Sequence, residues 1–492
     1  MAEKRPNIIV IMSDNHMAEM LGCYGNDEIH SPNLDHFAQQ GIQFNHAFCV
    51  NAMCSPCRAS MLTGLMPSQH GIHTWLDDRI MDQWPIRWNA IGEFVTLPEI
   101  LKANGYETAL IGKYHLGDPS TAQNGFDHWV TFPLGHTRSF WNNTVIENGK
   151  QSTYPGHTVD FFTEQAVDYV RGCDRAGERP FFLFLTYNAP YGHWPSIQGP
   201  ARNRFAALYD QCAMKSIPRE GVSEQAIERF LLRRYATGGG IDYSAHLRMP
   251  NDLTTLRNYF SQLTMVDDGV GRVLEILNQT GLDEDTLVIY TCDHGFSLGH
   301  NGYWGHGQAT WPANAHRASY HVPLLVRHID HIDPRQKNDK MISQIDLFDT
   351  ILDYAGISQA AVNDPSSSRN FTPILRGETL NWEDEVFIEQ EELRAIRTPQ
   401  WLFMKRFKGS RTYPFEDELY DLVRDPDEKH NLVREEAYAD VVRSLGARVD
   451  TFFQQYSVPE YDLWAGGSIK SNSDKPWLWE DAWGEEWGPV FF

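Results

Sequence analysis

The chain has 492 residues, 41% of them hydrophobic and 22% charged, which is ordinary globular composition with ample length for a large core. Its formal charge of −23 excludes the broad basic surfaces that wrap nucleic acid or lie on anionic bilayers, so neither is expected as a partner. No run reaches membrane-spanning length. "MAEKRPNIIVIM" passes from charge straight into a short apolar strand, without the apolar stretch or cleavage site of a secretory signal. The seven cysteines are odd in number and scattered, which argues against a disulfide framework. The expected location is the cytoplasm, or the periplasm or exterior if a leader was removed.

In chain order, "NIIVIMSD" predicts an apolar strand ending in polar residues. "SPNLDHFAQQGI" predicts a helix capped by Ser31 or Asn33 and stopped at Gly41, and "SPCRASMLTG" a helix start. "LPEILKANGYETALIGKYHLG" reads as helix, glycine turn and strand. "RPFFLFLTYNAP", "DTLVIYTCDHG" and "VPLLVRH" are further strands, and a helix follows in "ISQIDLFDTILDYAGI". Near-continuous apolar strands separated by helices predict a large, mixed but mainly parallel sheet sandwiched by helices. Residues 1–375 form this α/β unit, interrupted by an insertion over about 196–256. Residues 376–456 alternate as short strands and close with a helix, predicting a smaller antiparallel subdomain. Residues 457–492 form an aromatic-rich tail, expected to pack on its own domain or to join subunits.

In such a sheet ligands collect beyond the carboxyl ends of the strands. "MSDNH" puts Asp14 and Asn15 there, and "TCDHG" puts Asp293 and His294 there. One such pair alone is more often a turn or helix cap. Two pairs offer two carboxylates, an amide oxygen and an imidazole, which suit Ca²⁺ or Mg²⁺ and admit Mn²⁺. "GKYHLG" sets Lys113 and His115 two apart, on one face if extended. His193, His300 and His306 follow in "NAPYGHWP" and "GHNGYWGHG". Trp194, Trp304 and Trp311 suit stacking on a sugar or aryl ring, or plain packing.

"CSPCRASMLTG", residues 54–64, could be a redox CxxC or half a zinc site. The first lacks a thioredoxin-like context, and the second lacks a partner CxxC or HxxxH. Its C-x-P-x-R frame instead resembles the signature of the type I, formylglycine-dependent sulfatases of the alkaline phosphatase superfamily. "PNIIVIMSD", "GYETALIGKYHLG", "HWP", "DTLVIYTCDHGFSLGHNGYW" and "ELYDLVRDPDEKHNL" resemble that family's other motifs, in order.

The resemblance implies a sulfatase acting on a carbohydrate or aryl sulfate. Cys54, oxidised by a formylglycine-generating enzyme, becomes a gem-diol nucleophile and passes through a covalent sulfo-enzyme. Arg58 and Lys113 hold the nucleophile, and Lys113 also the sulfate. His115 is the base that breaks the intermediate down, and His193 contacts the sulfate or the leaving oxygen. Asp14, Asn15, Asp293 and His294 hold one divalent cation, Ca²⁺ by family habit. Asn15 stands where the family most often has Asp or Gln. His306 stands where a second Lys is common, which makes it the candidate acid toward the leaving group. Cys57, where Ser or Ala is common, reads as packing. The alternative reading is a phosphonate monoester hydrolase or phosphodiesterase of the same superfamily. A binding protein without catalysis would be expected to have lost Cys54 or Arg58, and both are present.

Overall fold

The protein is seen in a computed structural model that describes residues 5–173, 179–192, 202–218, 227, 252–310, 312–357, 363, 365–412, 415–470 and 477–490. In chain order the strands are β1 (Asn7–Asp14), β2 (Ile42–Phe48), β3 (Glu107–Gly112), β4 (His128–Thr131), β5 (Trp141–Glu147), β6 (Lys150–His157), β7 (Phe181–Pro190) and β8 (Thr286–Cys292). They continue with β9 (Ser297–Leu298), β10 (Trp304–Gly305), β11 (Leu324–Arg327), β12 (Gln336–Ser343), β13 (Val386–Gln390), β14 (Leu393–Arg397), β15 (Trp401–Arg406) and β16 (Glu418–Asp421).

Ten strands form one sheet in the order β12-β2-β11-β8-β1-β7-β3-β4-β5-β6. Pairing is parallel from β8 through β1, β7 and β3 to β4, and again between β12 and β2. The "VPLLVRH" strand, β11, runs antiparallel to both neighbours. β5 and β6 form an edge hairpin. β1 shows why the centre reads as a continuous apolar run. Ile8, Val10 and Met12 pack into one core with Cys57, Ala59, Met61 and Leu62. Ile9 and Ile11 pack into a second core with Tyr259, Phe260, Val266 and Val270 of the helix Leu253–Thr280. Each such side chain contributes about 1.5–3 kcal/mol, an upper bound because denatured chains keep some burial.

A four-stranded antiparallel sheet, β13 to β16, forms the second layer of structure, against which the helix Ala439–Tyr456 packs through Leu445, Val449 and Phe453. The aromatic tail folds back on its own chain: Leu478 and Trp479 are buried with Phe407 and Leu463. The insertion expected over 196–256 lies largely outside the described residues, and the long helix starts within it, at Leu253, capped by the Asp252 carboxylate. Among the described residues no helix is long and apolar enough to cross a membrane.

Candidate active site

Four adjacent parallel strands, β8, β1, β7 and β3, end side by side. Ser13 is in register with Cys292, Asp14 with Pro190 and Gly112 with Thr186. The residues just past these ends are therefore neighbours: Asp293 and His294, Asn15, Tyr191, and Lys113 with His115. Asn15, His115 and Tyr191 have φ of 66°, 57° and 36°. Non-glycine residues in this region carry strain of about 1–3 kcal/mol each, held by the surrounding packing.

The helix Cys54–Thr63 enters from the side, and every one of its residues is buried. Its first residue faces the strand ends. Cys54 Sγ lies 3.1 Å from Lys113 Nζ, 3.4 Å from His294 Nε2 and 3.7 Å from Asp14 Oδ1. Lys113 Nζ also donates to Asp14 Oδ2 at 2.5 Å. One turn along the helix, Arg58 donates to Asp293 Oδ2 at 2.9 Å and to the Lys113 carbonyl at 2.6 Å. Two buried carboxylates thus meet two buried cations. Burial alone would raise Asp293, but His294, Arg58 and Lys113 outweigh it and hold the carboxyl at about 2. Burial would lower Lys113, and Asp14 with Cys54 reverses that, so the amine stays charged. Burial, reinforced by Asp14, pushes the Cys54 thiol up despite Lys113.

Asp14, Cys54, Asp293 and His294 offer metal-ligand atoms all within 4.8 Å of one another. His294 Nδ1 donates to the Gly295 carbonyl at 2.8 Å, leaving Nε2 as the lone-pair nitrogen toward Cys54. Asn15 lies beside Asp14 Oδ1. In one amide orientation it accepts from the Gly192 N–H (3.2 Å) and donates to Asp14 Oδ1 (2.9 Å). In the reverse orientation its oxygen sits beside Asp14 Oδ1, an arrangement that a shared cation makes favourable. This oxygen-rich donor set with one imidazole fits a hard divalent ion.

His306 is buried against the ring of His294, with centroids 4.0 Å apart, and its Nδ1 donates to the Ala52 carbonyl. His115 Nε2 donates to the Leu76 carbonyl at 2.8 Å, and its buried Nδ1 has no partner among the described residues. Burial, with Lys113 and His136, holds this imidazole well below its ordinary pKa, so it is neutral. Cys57 donates to the Asn51 carbonyl and packs in the core. His193, Trp194 and Trp311 lie outside the described residues. Trp304 is fully buried, edge-on to Phe296.

Two neighbours carry no sequence signal of their own. Tyr191 places its ring 5.3 Å from Lys113 Nζ and donates its N–H to the Asp14 carbonyl at 3.1 Å. Tyr259 caps the Asn15 carbonyl with its hydroxyl.

Residues 6–357 match the sulfatase family model, and residues 314–455 match the model for the C-terminal part of N-sulphoglucosamine sulphohydrolase. The chain belongs to the sulfatase family of the alkaline phosphatase superfamily, and is a hydrolase of sulfate esters. It is 25% identical to an N-acetylglucosamine-6-O-sulfatase of Bacteroides thetaiotaomicron, over 92% of this chain and 87% of that protein. Among solved structures it resembles one in complex with its substrate D-glucosamine-2-N,6-O-disulfate (TM-score 0.70, 23% identity, 92% and 98% of the two chains). It also shares its fold with a phosphonate monoester hydrolase of Agrobacterium radiobacter (TM-score 0.70, 19% identity, 93% and 97%).

Proposed function

We propose that this sulfatase hydrolyses the sulfate ester of a saccharide, using a formylglycine formed from Cys54. One observation carries the reading: Lys113, Asp14 and His294 converge on Cys54 Sγ, in a pocket where that sulfur is held as a protonated thiol. A thiol pushed up by burial is a poor nucleophile. Oxidation by a separate generating enzyme would replace Sγ with an aldehyde, whose hydrate places hydroxyls among the same partners.

One hydroxyl passes its proton to the Asp14 carboxylate beside it and attacks sulfur, the bond from sulfur to the leaving oxygen breaks, and that oxygen takes a proton. His306 is the proposed donor, assisted by His193. His115 then removes the proton of the second hydroxyl through Nδ1. The C=O bond forms as the bond to the sulfate oxygen breaks, sulfate leaves, and water restores the hydrate. Lys113 and Arg58 offset charge on the sulfate oxygens and keep the metal-binding carboxylates ionised. Asp14, Asn15, Asp293 and His294 would hold one divalent ion, Ca²⁺ by its preference for oxygen, and when bound it would withdraw charge from the sulfate.

A saccharide substrate is supported by the relative named for N-acetylglucosamine 6-O-sulfate and by the fold neighbour bound to a glucosamine disulfate. The shared fold with a phosphonate monoester hydrolase supports the second reading. Two-metal sites are common for phosphate monoesters, whereas one cluster able to hold a metal occurs among the described residues. The test is enzyme co-produced with a generating enzyme, assayed on sulfated amino sugars, aryl sulfates and phosphonate monoesters. Mass spectrometry of the same sample should show an aldehyde at residue 54 and a free thiol at Cys57. Activity from a preparation whose Cys54 is wholly thiol would overturn the mechanism, and preference for phosphonates would overturn the substrate class.

A further inference from the structure

We infer that Asp78 and Gly135 are positioning residues for His115, fixing its ring in one place and one tautomer; this rests on the reading of His115 as the base above. A single short segment grips the imidazole from two sides. The Leu76 carbonyl accepts from Nε2 at 2.8 Å. Two residues on, the buried Asp78 carboxylate reaches across to the 135–136 loop. Its Oδ2 accepts from the Gly135 N–H, the His136 N–H and His136 Nδ1, each at 3.1 Å. Burial would raise this carboxyl, and the bonds and charge of His136 hold it well down instead, so the clamp is ionised.

The clamped loop is the back wall of His115. A Cβ placed on Gly135 would lie 2.0 Å from His115 Nε2, 2.1 Å from Cδ2 and 2.5 Å from Cε1. Its three nearest neighbours all belong to that one ring. Gly135 is not among the positive-φ glycines, so glycine is required here for space and not for backbone freedom. The His136 ring stands edge-on to His115 at 5.5 Å and is itself braced by Trp75 at 4.5 Å. With Nε2 committed to Leu76 and the ring backed by Gly135, the nitrogen left for a reacting proton is Nδ1, which is buried without a partner among the described residues.

The position matters for one step. Nδ1 takes the proton of the free hydroxyl on sulfated residue 54, the C=O bond forms, and the bond to the sulfate oxygen breaks. Release of the alcohol comes earlier and does not need His115. Displacing the ring should therefore stall the enzyme after its first turnover. Rapid-quench kinetics with an activated aryl sulfate, on matured enzyme, test this with Gly135→Ala and Asp78→Asn beside His115→Ala. Gly135→Ala should keep a burst of phenol per folded enzyme, lose about 10²-fold in steady state and accumulate a sulfated residue-54 peptide. Asp78→Asn retains a carbonyl for the backbone donors and should shift the same quantities less. Unchanged steady-state turnover in Gly135→Ala would overturn the inference. So would burst and steady state falling together with no sulfated peptide, the mark of general structural damage. If His115→Ala itself accumulates no sulfated enzyme, the base assignment fails first, and the positioning role with it.

Discussion

Replacing Asp293 with alanine separates two tasks of its carboxylate. Oδ2 accepts from Arg58 at 2.9 Å, and the group also faces the point it shares with Asp14, Cys54 and His294. Arg58 is only 1% exposed. Without Asp293, its nearest carboxylate is Asp14 at 3.8 Å, already committed to Lys113 at 2.5 Å. Removing one partner of a buried pair leaves an uncompensated charge and costs about 3–5 kcal/mol. The expected loss for Asp293→Ala is in that range when unfolding is measured by urea in excess chelator, which removes the linkage to bound metal. Arg58→Ala should cost a comparable amount. The double variant should cost less than the two singles together, by up to about 3 kcal/mol, because it leaves neither charge alone. In metal-containing buffer Asp293→Ala should hold no ion and show no turnover, and the double variant should not regain activity. Additive singles, or a loss below about 1 kcal/mol, would refute the buried pair as described. Stoichiometric metal on Asp293→Ala would place the ion elsewhere.

If His306 protonates the leaving oxygen, His306→Ala should slow alkyl and sugar sulfates by about 10²–10⁴-fold and aryl sulfates of acidic phenols very little. An equal loss for both classes in steady-state assays would leave substrate positioning as its role. A pH effect on stability is expected far from the site. Burial holds His157 at about 4, against Gln262, whose Oε1 accepts from its Nε2. Its unfolded value is near 6.5, so its stabilisation is complete above that pH and is lost as pH falls through 4, by at most about 3 kcal/mol. Urea midpoints should fall over this window in the parent and be flatter in His157→Phe; parallel profiles would exclude His157 as the cause.

The parts of the site legible in the sequence were those carried by side-chain chemistry at strand ends. Asp14 and Asn15, Lys113 and His115, and Asp293 and His294 each follow an apolar run, and a buried parallel strand announces its end by the switch to polar residues. Direction is less visible: "VPLLVRH" is as apolar as its neighbours, yet β11 runs antiparallel, because a strand buried on both faces has no period that records its sense. The hairpin of β5 and β6 had a signal, Asn148-Gly149, whose φ values of 48° and 83° make its turn. Contacts made through the main chain left no trace. The Leu76 carbonyl on His115 and the Ala52 carbonyl on His306 could belong to any residue type. Trp304 stayed open between stacking and packing because an aromatic beside a motif reads alike whether it faces a ligand or the core, and the structure buries it.

The complete burial of the helix that begins at Cys54 sets a timetable. An enzyme that oxidises residue 54 must reach its side chain, and the folded protein buries every residue of that helix. The pocket, however, cannot close until β8 has been made and paired with β1, roughly 240 residues after Cys54. At ~5–20 residues per second of synthesis, this leaves roughly 10–50 s in which the cysteine is exposed on a chain unable to bury it. Under the proposed maturation, the long sequence separation between nucleophile and metal ligands works as a delay, and a chain that folds before it is oxidised is sealed in its inactive form.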